Sequence, residues 1–429
     1  MTLNAGAALR PLRYRNFAIL WSASLVSNVG TWMQTVAVGA LVVSRTGQAS
    51  WAVLVAAGAF LPIGLLSPLG GALADRLPRR PVIAAGNLAE GLIAVALAAL
   101  VSAGHGSPAM LLGLVTLQGC ASALIMPFSQ AILPDLVPRS EFLAASSLNS
   151  AQWNAGRIVG PALAGATIAA FGFSASFLAN AGSFLAVVAA MLFVRLSPPP
   201  GRTGPVLAAL RDGLAAARAQ PSCRAAIIAI AVVAFVAAPF IALVPAMALR
   251  LSHGGATAVA AATSLLTTAQ GLGAVAGALI LAPLAARIGR GPLLGWSLVL
   301  LPVALTSYAV APSRWWGIAG LFVVGLVYVA VLSGLSTTVQ LYAPPAYRGR
   351  VLSFFQVALG VSYPIGALLQ GPLADAVGIG WTTLGSALVL ALAGLVVWWR
   401  WPAFAAALIG GTRATPDDTV LVTAPDMAR

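Results

Sequence analysis

"GGALADRLPRRP", residues 70–81, gathers one acid and three arginines into a run of small residues. The rest of the chain avoids charge: 7% of its 429 residues are charged and 60% are hydrophobic, against about 25% charged in an ordinary soluble domain. The runs around the stretch, such as "AVLVAAGAFLPIGLL" (52–66), are long and unbroken. No water-facing fold can hide so much apolar surface, so the solvent is lipid, and backbone groups must pair inside helices or a closed barrel. Barrel strands alternate apolar and polar residues over about 10 positions. These runs do not alternate, and they suit helices of roughly 20 residues per crossing. The stretch therefore reads as a polar loop between two membrane helices, in an all-α integral membrane fold.

Twelve spans are expected, at 16–42, 50–74, 81–102, 108–133, 141–170, 173–194, 223–249, 257–285, 292–311, 315–341, 351–375 and 380–400. They group into a six-helix bundle at 1–195, a cytoplasmic linker at 196–222 containing "SPPPGRTGP", a second bundle at 223–402 and a disordered polar tail at 403–429. "LRPLRYRNF" (9–17) leads into a segment too long and too polar for a cleaved signal core, so it reads as a retained first helix. All 23 cationic residues are arginines. With the amino terminus placed in the cytoplasm, 19 of them fall inside, only Arg45, Arg250 and Arg314 fall outside, and Arg157 lies within a span. That asymmetry fits a multi-pass protein of the bacterial plasma or inner membrane with both termini cytoplasmic. It also accounts for the net charge of +14 without nucleic acid as a partner. Cys120 and Cys223 read as small apolar residues, His105 and His253 fall in outer loops, and no metal cluster is apparent. Neither a nucleotide-binding glycine loop nor a nucleophile, base and acid cluster is visible, so no ATP-driven pump and no enzyme is expected.

The two bundles repeat one another. "ADRLPRRP" (74–81) returns as "AARIGRGP" (285–292), an offset of 211. Pro138, Ser147, Gly160, Gly165 and Gly172 return as Pro344, Ser353, Gly366, Gly371 and Gly378, all at an offset of 206. Two halves related by an axis normal to the membrane would give this pattern.

With span count, linker and repeat in place, the opening stretch resembles the loop between helices two and three of the major facilitator superfamily. The family pattern is Gly, three residues, Asp-Arg, any residue, Gly, Arg, then Arg or Lys. Gly71, Asp75, Arg76, Arg79 and Arg80 match it, with Pro78 in place of the second Gly. "RNFAILWSASLVSNVGTWMQ" (15–34) and "LPIGLLSPLGGALADRLPRRP" (61–81) look like the drug-efflux and enterobactin-exporter group within it. The resemblance implies a two-bundle transporter in which the inner end of helix two meets the start of helix eleven when the inner gate is shut. A helix N-terminus carries partial positive charge, and Arg348 and Arg350 add to it there. Asp75 is then a counter-charge in a latch; alternatively it orders its own loop against Arg79. The repeat copy has Ala286 at this position, and its partner, "PRSEF", supplies its own anion in Glu141, with Ser140 placed to cap the fifth helix.

"NAGRIVGPALAG" (154–165) spaces Gly156, Gly160, Pro161 and Gly165 so that helices can approach closely around Arg157. The spacing resembles the fifth-helix signature of the superfamily's proton-coupled antiporters, with Ala164 in place of one Gly. Within the spans, Glu90 and Arg157 are the formal charges, and each has two readings. Glu90, roughly 13 Å deep at 1.5 Å per residue, either carries the coupling proton or is a hydrogen-bonded structural group. Arg157, charged in any surroundings, either attracts an anionic substrate or pairs with Glu90 or a helix end. Polar stripes hold Asn28, Thr31, Trp32 and Thr35 on helix one, Gln118 and Ser122 on helix four, Ser333 and Thr337 on helix ten and Gln356 on helix eleven. Phe235 sits on an almost wholly apolar helix seven. Each polar residue could serve an interhelical hydrogen bond, but as a set they are expected to line a wet cavity.

The expected function is secondary export of amphipathic, drug-like compounds by a monomer, driven by the proton gradient with no cofactor. Siderophore export is the neighbouring alternative, and a non-transporting membrane scaffold or sensor the alternative of another class.

Overall fold

A computed structural model of the chain describes residues 9–74, 76–194, 214–345 and 347–410, and it is helical almost throughout, with no strand among the described residues. The long elements are α1 (Arg15–Thr46), α2 (Ala49–Ala74), α3 (Arg79–Ser102), α4 (Pro108–Ala131), α5 (Phe142–Phe171), α6 (Phe173–Phe193), α7 (Pro221–Leu251), α8 (Ala256–Ile288), α9 (Arg290–Ala309), α10 (Arg314–Tyr342), α11 (Arg348–Val377) and α12 (Ile379–Arg400), with a short α13 (Pro402–Ile409) behind them. Eleven are apolar and long enough to cross a bilayer. The twelfth, α5, has 30 residues, but Ser146, Ser147, Asn149, Ser150, Asn154 and Arg157 dilute its apolar content. Such a face needs protein or water beside it. α7 breaks between Val236 and Phe240, where Pro239 withholds a backbone donor.

Successive helices run in opposite directions, so the loops sort to two ends. The end where α1 begins, here the near end, holds Arg76, Arg79, Arg80, Arg139, Arg287, Arg290, Arg348, Arg350 and Arg400; the far end holds Arg45, Arg250 and Arg314. The outer surface is an apolar belt, with Leu88, Leu92 and Val95 on α3 and Leu388, Leu392 and Leu395 on α12 all exposed. Tryptophans mark both rims: Trp315, Trp316 and Trp381 at the far end, Trp398, Trp399 and Trp401 at the near end.

The internal repeat is built in three dimensions. In the first half α1 packs on α5, α2 on α4 and α3 on α6; in the second α7 packs on α11, α8 on α10 and α9 on α12. Ser107 caps α4 by accepting from the Met110 amide, and Ser313, 206 residues later, caps α10 by accepting from the Trp316 amide. Gly160 lies against α1 beside Trp32, and its copy Gly366 lies against the Phe235 carbonyl of α7. Gly165 abuts Ser264 of α8, and Gly371 abuts Ser50 and Val53 of α2. Gly172 and Gly378 end α5 and α11 at φ of 82° and 90°, a region that disfavours any side chain.

Three expectations are corrected. Residues 402–409 are a helix, not part of a disordered tail: "PAFAAALI" is apolar and buries Ala407 and Leu408. Its last turn is so close to α9 that a Cβ on Gly291 would stand 2.0 Å from the Ile409 carbonyl oxygen. Residues 214–219 of the expected linker are also helical, because its alanines favour that state. Ser140 does not cap α5; residues 139–141 form a 3₁₀ turn, and the Glu141 N-cap makes no side-chain bond.

Candidate functional site

The two halves meet along α2 with α11 and α5 with α8, supported by contacts of α7 with α1 and α2 and of α8 with α1. The close approaches lie from mid-depth to the far end. Gly371 is against Ser50, Gly165 against Ser264, and Gly39 against Pro245. Gly271 faces Ile158 and the Arg157 carbonyl near the middle. Toward the near end the seam loosens. Leu65, Leu69 and Leu73 of α2 are exposed, and a Cβ on Gly71 or on Gly349 would meet nothing within 4 Å. Among the described residues the close glycine approaches between the halves thus lie from mid-depth to the far end.

One carboxylate ties the closed end across the seam. Asp375, in the last turn of α11, accepts from the backbone amides of Ala49 and Ser50, the second at 3.2 Å, and from the Ser50 hydroxyl. Those amides open α2 and have no partner within their own helix. Only the fold brings Asp375 to residues 325 positions away.

At mid-depth the seam holds a cation among aromatic rings. The Arg157 guanidinium lies over the Trp32 ring, 5.9 Å from its centroid. Trp32 meets Trp153 edge-on at 5.9 Å. Phe60 of α2 meets Tyr363 of α11 at 6.0 Å across the halves, and Phe240 of α7 meets Tyr328 of α10 at 5.6 Å. Tyr328 and Tyr363 are close enough to Arg157 to interact with it electrostatically. The buried Arg157 Nε has no hydrogen-bond partner, nor does Thr268 Oγ1 of α8, one turn from Gly271. Among the described residues the ion pair is Arg79 with Asp135, so no carboxylate neutralises Arg157. A charge inside the membrane costs at least about 2.5 kcal/mol, and a cation–π contact returns about 0.5–2 kcal/mol. The protein thus leaves the cation only partly compensated.

The expected site residues divide. Trp32, Arg157 and the glycines of α5 join this centre: Gly156 lets Asn28 and Trp32 approach, and the buried Gly160 and Pro161 seat α5 on α1. Thr35 and Gln356 are exposed, Thr31 turns back to the Ser27 carbonyl, and Phe235 lends its carbonyl to Gln370. Four residues leave the expected cavity. Gln118 is consumed in a buried chain, receiving from Gln34, whose carbonyl in turn accepts from Asn180 at 2.8 Å. Ser122 donates to Glu90, joining α4 to α3 inside the first half. Ser333 and Thr337 line a separate cavity of about 520 Å³ between α8, α9 and α10, closed over by Leu408 and Ile409 of α13. A polar side chain in a membrane helix must avoid lipid, and a bond to a neighbouring helix meets that condition as well as a wet cavity does.

The charged loop also divides. Arg79 donates to Asp135 at 3.0 Å and to the Ala131 carbonyl at 3.1 Å, and Arg80 donates to the Leu192 carbonyl. Both brace the first half internally rather than reaching across the seam. Arg76 and Arg348 are exposed, and Arg350 lies 5.5 Å from the Tyr347 ring centroid. Asp75 lies outside the described residues. Tyr363 shares the polar stripe of helix eleven with Gln356, whereas Phe60, Trp153 and Tyr328 were not assigned to the site from sequence; their shared mid-helix depth was the signal available.

Known proteins share this architecture. The chain is 29% identical over 386 residues to the multidrug efflux pump Tap of Mycolicibacterium fortuitum, covering 87% of this chain and 93% of that protein. It is 28% identical over 399 residues to the enterobactin exporter EntS of Escherichia coli O1:K1 / APEC, covering 88% and 91%. A solved bacterial homologue of the human lysosomal transporter Spinster, inward-facing and unoccupied, superimposes with a TM-score of 0.69 over 94% of this chain and 99% of that one at 16% identity, which shows the common fold. The family model described as "Transmembrane secretion effector" matches residues 6–420, and the chain belongs to that family of major facilitator transporters.

Proposed function

We propose that this chain is a secondary exporter that moves amphipathic organic compounds out of the cell, exchanging them for protons as one half rocks against the other. The observation that carries the reading is the mid-depth seam. Trp32, Trp153, Phe60 and Tyr363 offer flat apolar surface where the halves meet, with the close approaches between the halves lying from mid-depth to the far end. Such a site accepts bulky molecules by area and stacking rather than by a fixed hydrogen-bond pattern. The near end, rich in arginine, is the cytoplasmic one by the positive-inside rule, so the described state is open to the compound's source. The relatives named as a multidrug pump and a siderophore exporter support the outward direction.

Glu90 is the proton carrier in this reading. Among the described residues it is the carboxylate buried at depth, and its partner is a hydroxyl rather than a cation. It can therefore change protonation without breaking an ion pair. It sits on α3, away from the seam, so its coupling runs through α4, which packs on α2. In everted vesicles, quenching of a lipophilic dye should recover on imposing an inward-acid pH gradient and collapse with a protonophore. Glu90→Gln should retain binding and lose about a hundredfold of the gradient-driven rate, the lower end of what a positioned proton-transfer group contributes. Unchanged gradient dependence in that variant would remove Glu90 from the proton route, and no gradient-driven efflux of any compound would remove the exporter reading.

A further inference from the structure

We infer that the exporter's preferred substrates carry a negative group, and that Arg157 is the residue that selects for it. The inference rests on the export reading and names the chemistry of the same site.

Three observations converge. First, Arg157 stays protonated under all physiological conditions, so its charge cannot be relieved by losing a proton. Second, among the described residues no carboxylate pairs with it: Asp135 is taken by Arg79, Asp375 by the start of α2, Glu90 by Ser122, and Glu141 lies at the near end before α5. Third, the partners it does have, Trp32 below and Tyr328 and Tyr363 nearby, are aromatic surfaces that leave the Nε without a hydrogen-bond acceptor. A structural arginine would be tied down by a carboxylate or by carbonyls, as Arg79, Arg80, Arg45 and Arg250 all are. Arg157 is the exception, and it is the one placed where the halves meet. The planar guanidinium can take a carboxylate, phosphate or similar oxyanion through paired hydrogen bonds. The neighbouring rings then receive the apolar body of the same molecule. Thr268, whose hydroxyl has no partner, stands on the opposing helix to complete the polar contact.

The test compares three fluorescent probes of one aromatic skeleton: an aryl carboxylate, its methyl ester and its trimethylammonium analogue. In gradient-energised everted vesicles the carboxylate should be transported with the highest kcat/KM. Arg157→Gln should lower that value by about tenfold or more and leave the ester within about twofold. Arg157→Lys should fall between them. Thermal unfolding of the purified wild-type protein gives a readout that needs no variant to fold: the carboxylate should raise Tm in a concentration-dependent way, and the ester should raise it less. Equal loss of carboxylate and ester transport in Arg157→Gln would overturn the inference and make Arg157 structural. Preferential transport of the trimethylammonium probe, undiminished by Arg157→Gln, would also overturn it while leaving the exporter standing. Failure of all three probes both to move and to stabilise would take down the export reading and the inference together.

Discussion

Asp375→Ala will shift the transporter toward opening at the far end and slow its turnover. The substitution removes three hydrogen bonds that cross the seam, from the Ala49 amide, the Ser50 amide and the Ser50 hydroxyl. It also leaves two opening amides of α2 to water alone, without the anion that suits a helix N-terminus. An N-cap is worth about 0.5–2 kcal/mol, and a latch of about 1–2 kcal/mol moves a two-state ratio by about 5–30-fold. Labels on Gln48 and Val377 should report a longer, broader distance in the variant than in the wild type, with a lower maximal efflux rate. Asp375→Asn, which keeps one acceptor but no charge, should lie between them. A wild-type distance distribution in Asp375→Ala would mean that the apolar seam alone holds the end shut.

The repeat explains why this end matters. The position of Asp375 corresponds, 206 residues earlier, to Ala169 at the end of α5, and Asp75 corresponds to Ala286 at the end of α8. Asp375 thus ends α11 where α2 begins, and Asp75 follows α2 in the sequence. The α5 and α8 seam includes close small-residue contacts, such as Gly165 with Ser264 and Gly271 with Ile158. The α2 and α11 seam thus carries a charged tie at its far end.

This asymmetry also shows what was legible in the sequence. Apolar run length fixes helix number, arginine position fixes which loops share an end, and recurring Gly and Ser positions reveal the two halves, because each is a local or periodic property. Asp75 is conspicuous because it stands in a charged motif, whereas nothing local marks the tie that Asp375 makes; its partners are the start of α2. Gln118 and Ser122 failed as cavity residues for a related reason. A polar side chain in a membrane helix must avoid lipid, but Asn180 and Glu90, from α6 and α3, satisfy them as fully as a wet cavity would. Arg157 shows its depth in the sequence, but which groups face it is set by the fold: Trp32 on α1 lies under its guanidinium.

Gly325→Leu will abolish the folded protein, while Gly394→Leu will not. Gly325 lies where α10 crosses α8, and a Cβ there would stand 2.1 Å from the Gln270 carbonyl oxygen and 3.0 Å from its carbon. The obstacle is backbone, so no side-chain rotation relieves it, and the helices must separate. Gly273 enforces the same crossing from the other side, with the Phe322 carbonyl oxygen 1.9 Å from its would-be Cβ. Overpacking a well-packed core costs about 1–3 kcal/mol when side chains can yield; prising apart two helices forfeits their whole van der Waals contact, which in lipid is a main force joining them. Gly119, 206 residues before Gly325, faces the Gly58 and Ala59 carbonyls at 2.6 and 2.7 Å, so Gly119→Leu should fail in the first half for the same reason. Gly394 has nothing within 4 Å of its would-be Cβ, and a leucine there meets lipid, which accepts it readily. The readout is the monodisperse fraction on size exclusion in mild detergent, together with Tm. Near-normal yield for Gly325→Leu would show that α8 and α10 can cross at a greater distance, and the close backbone approach would then not be what holds the second half together.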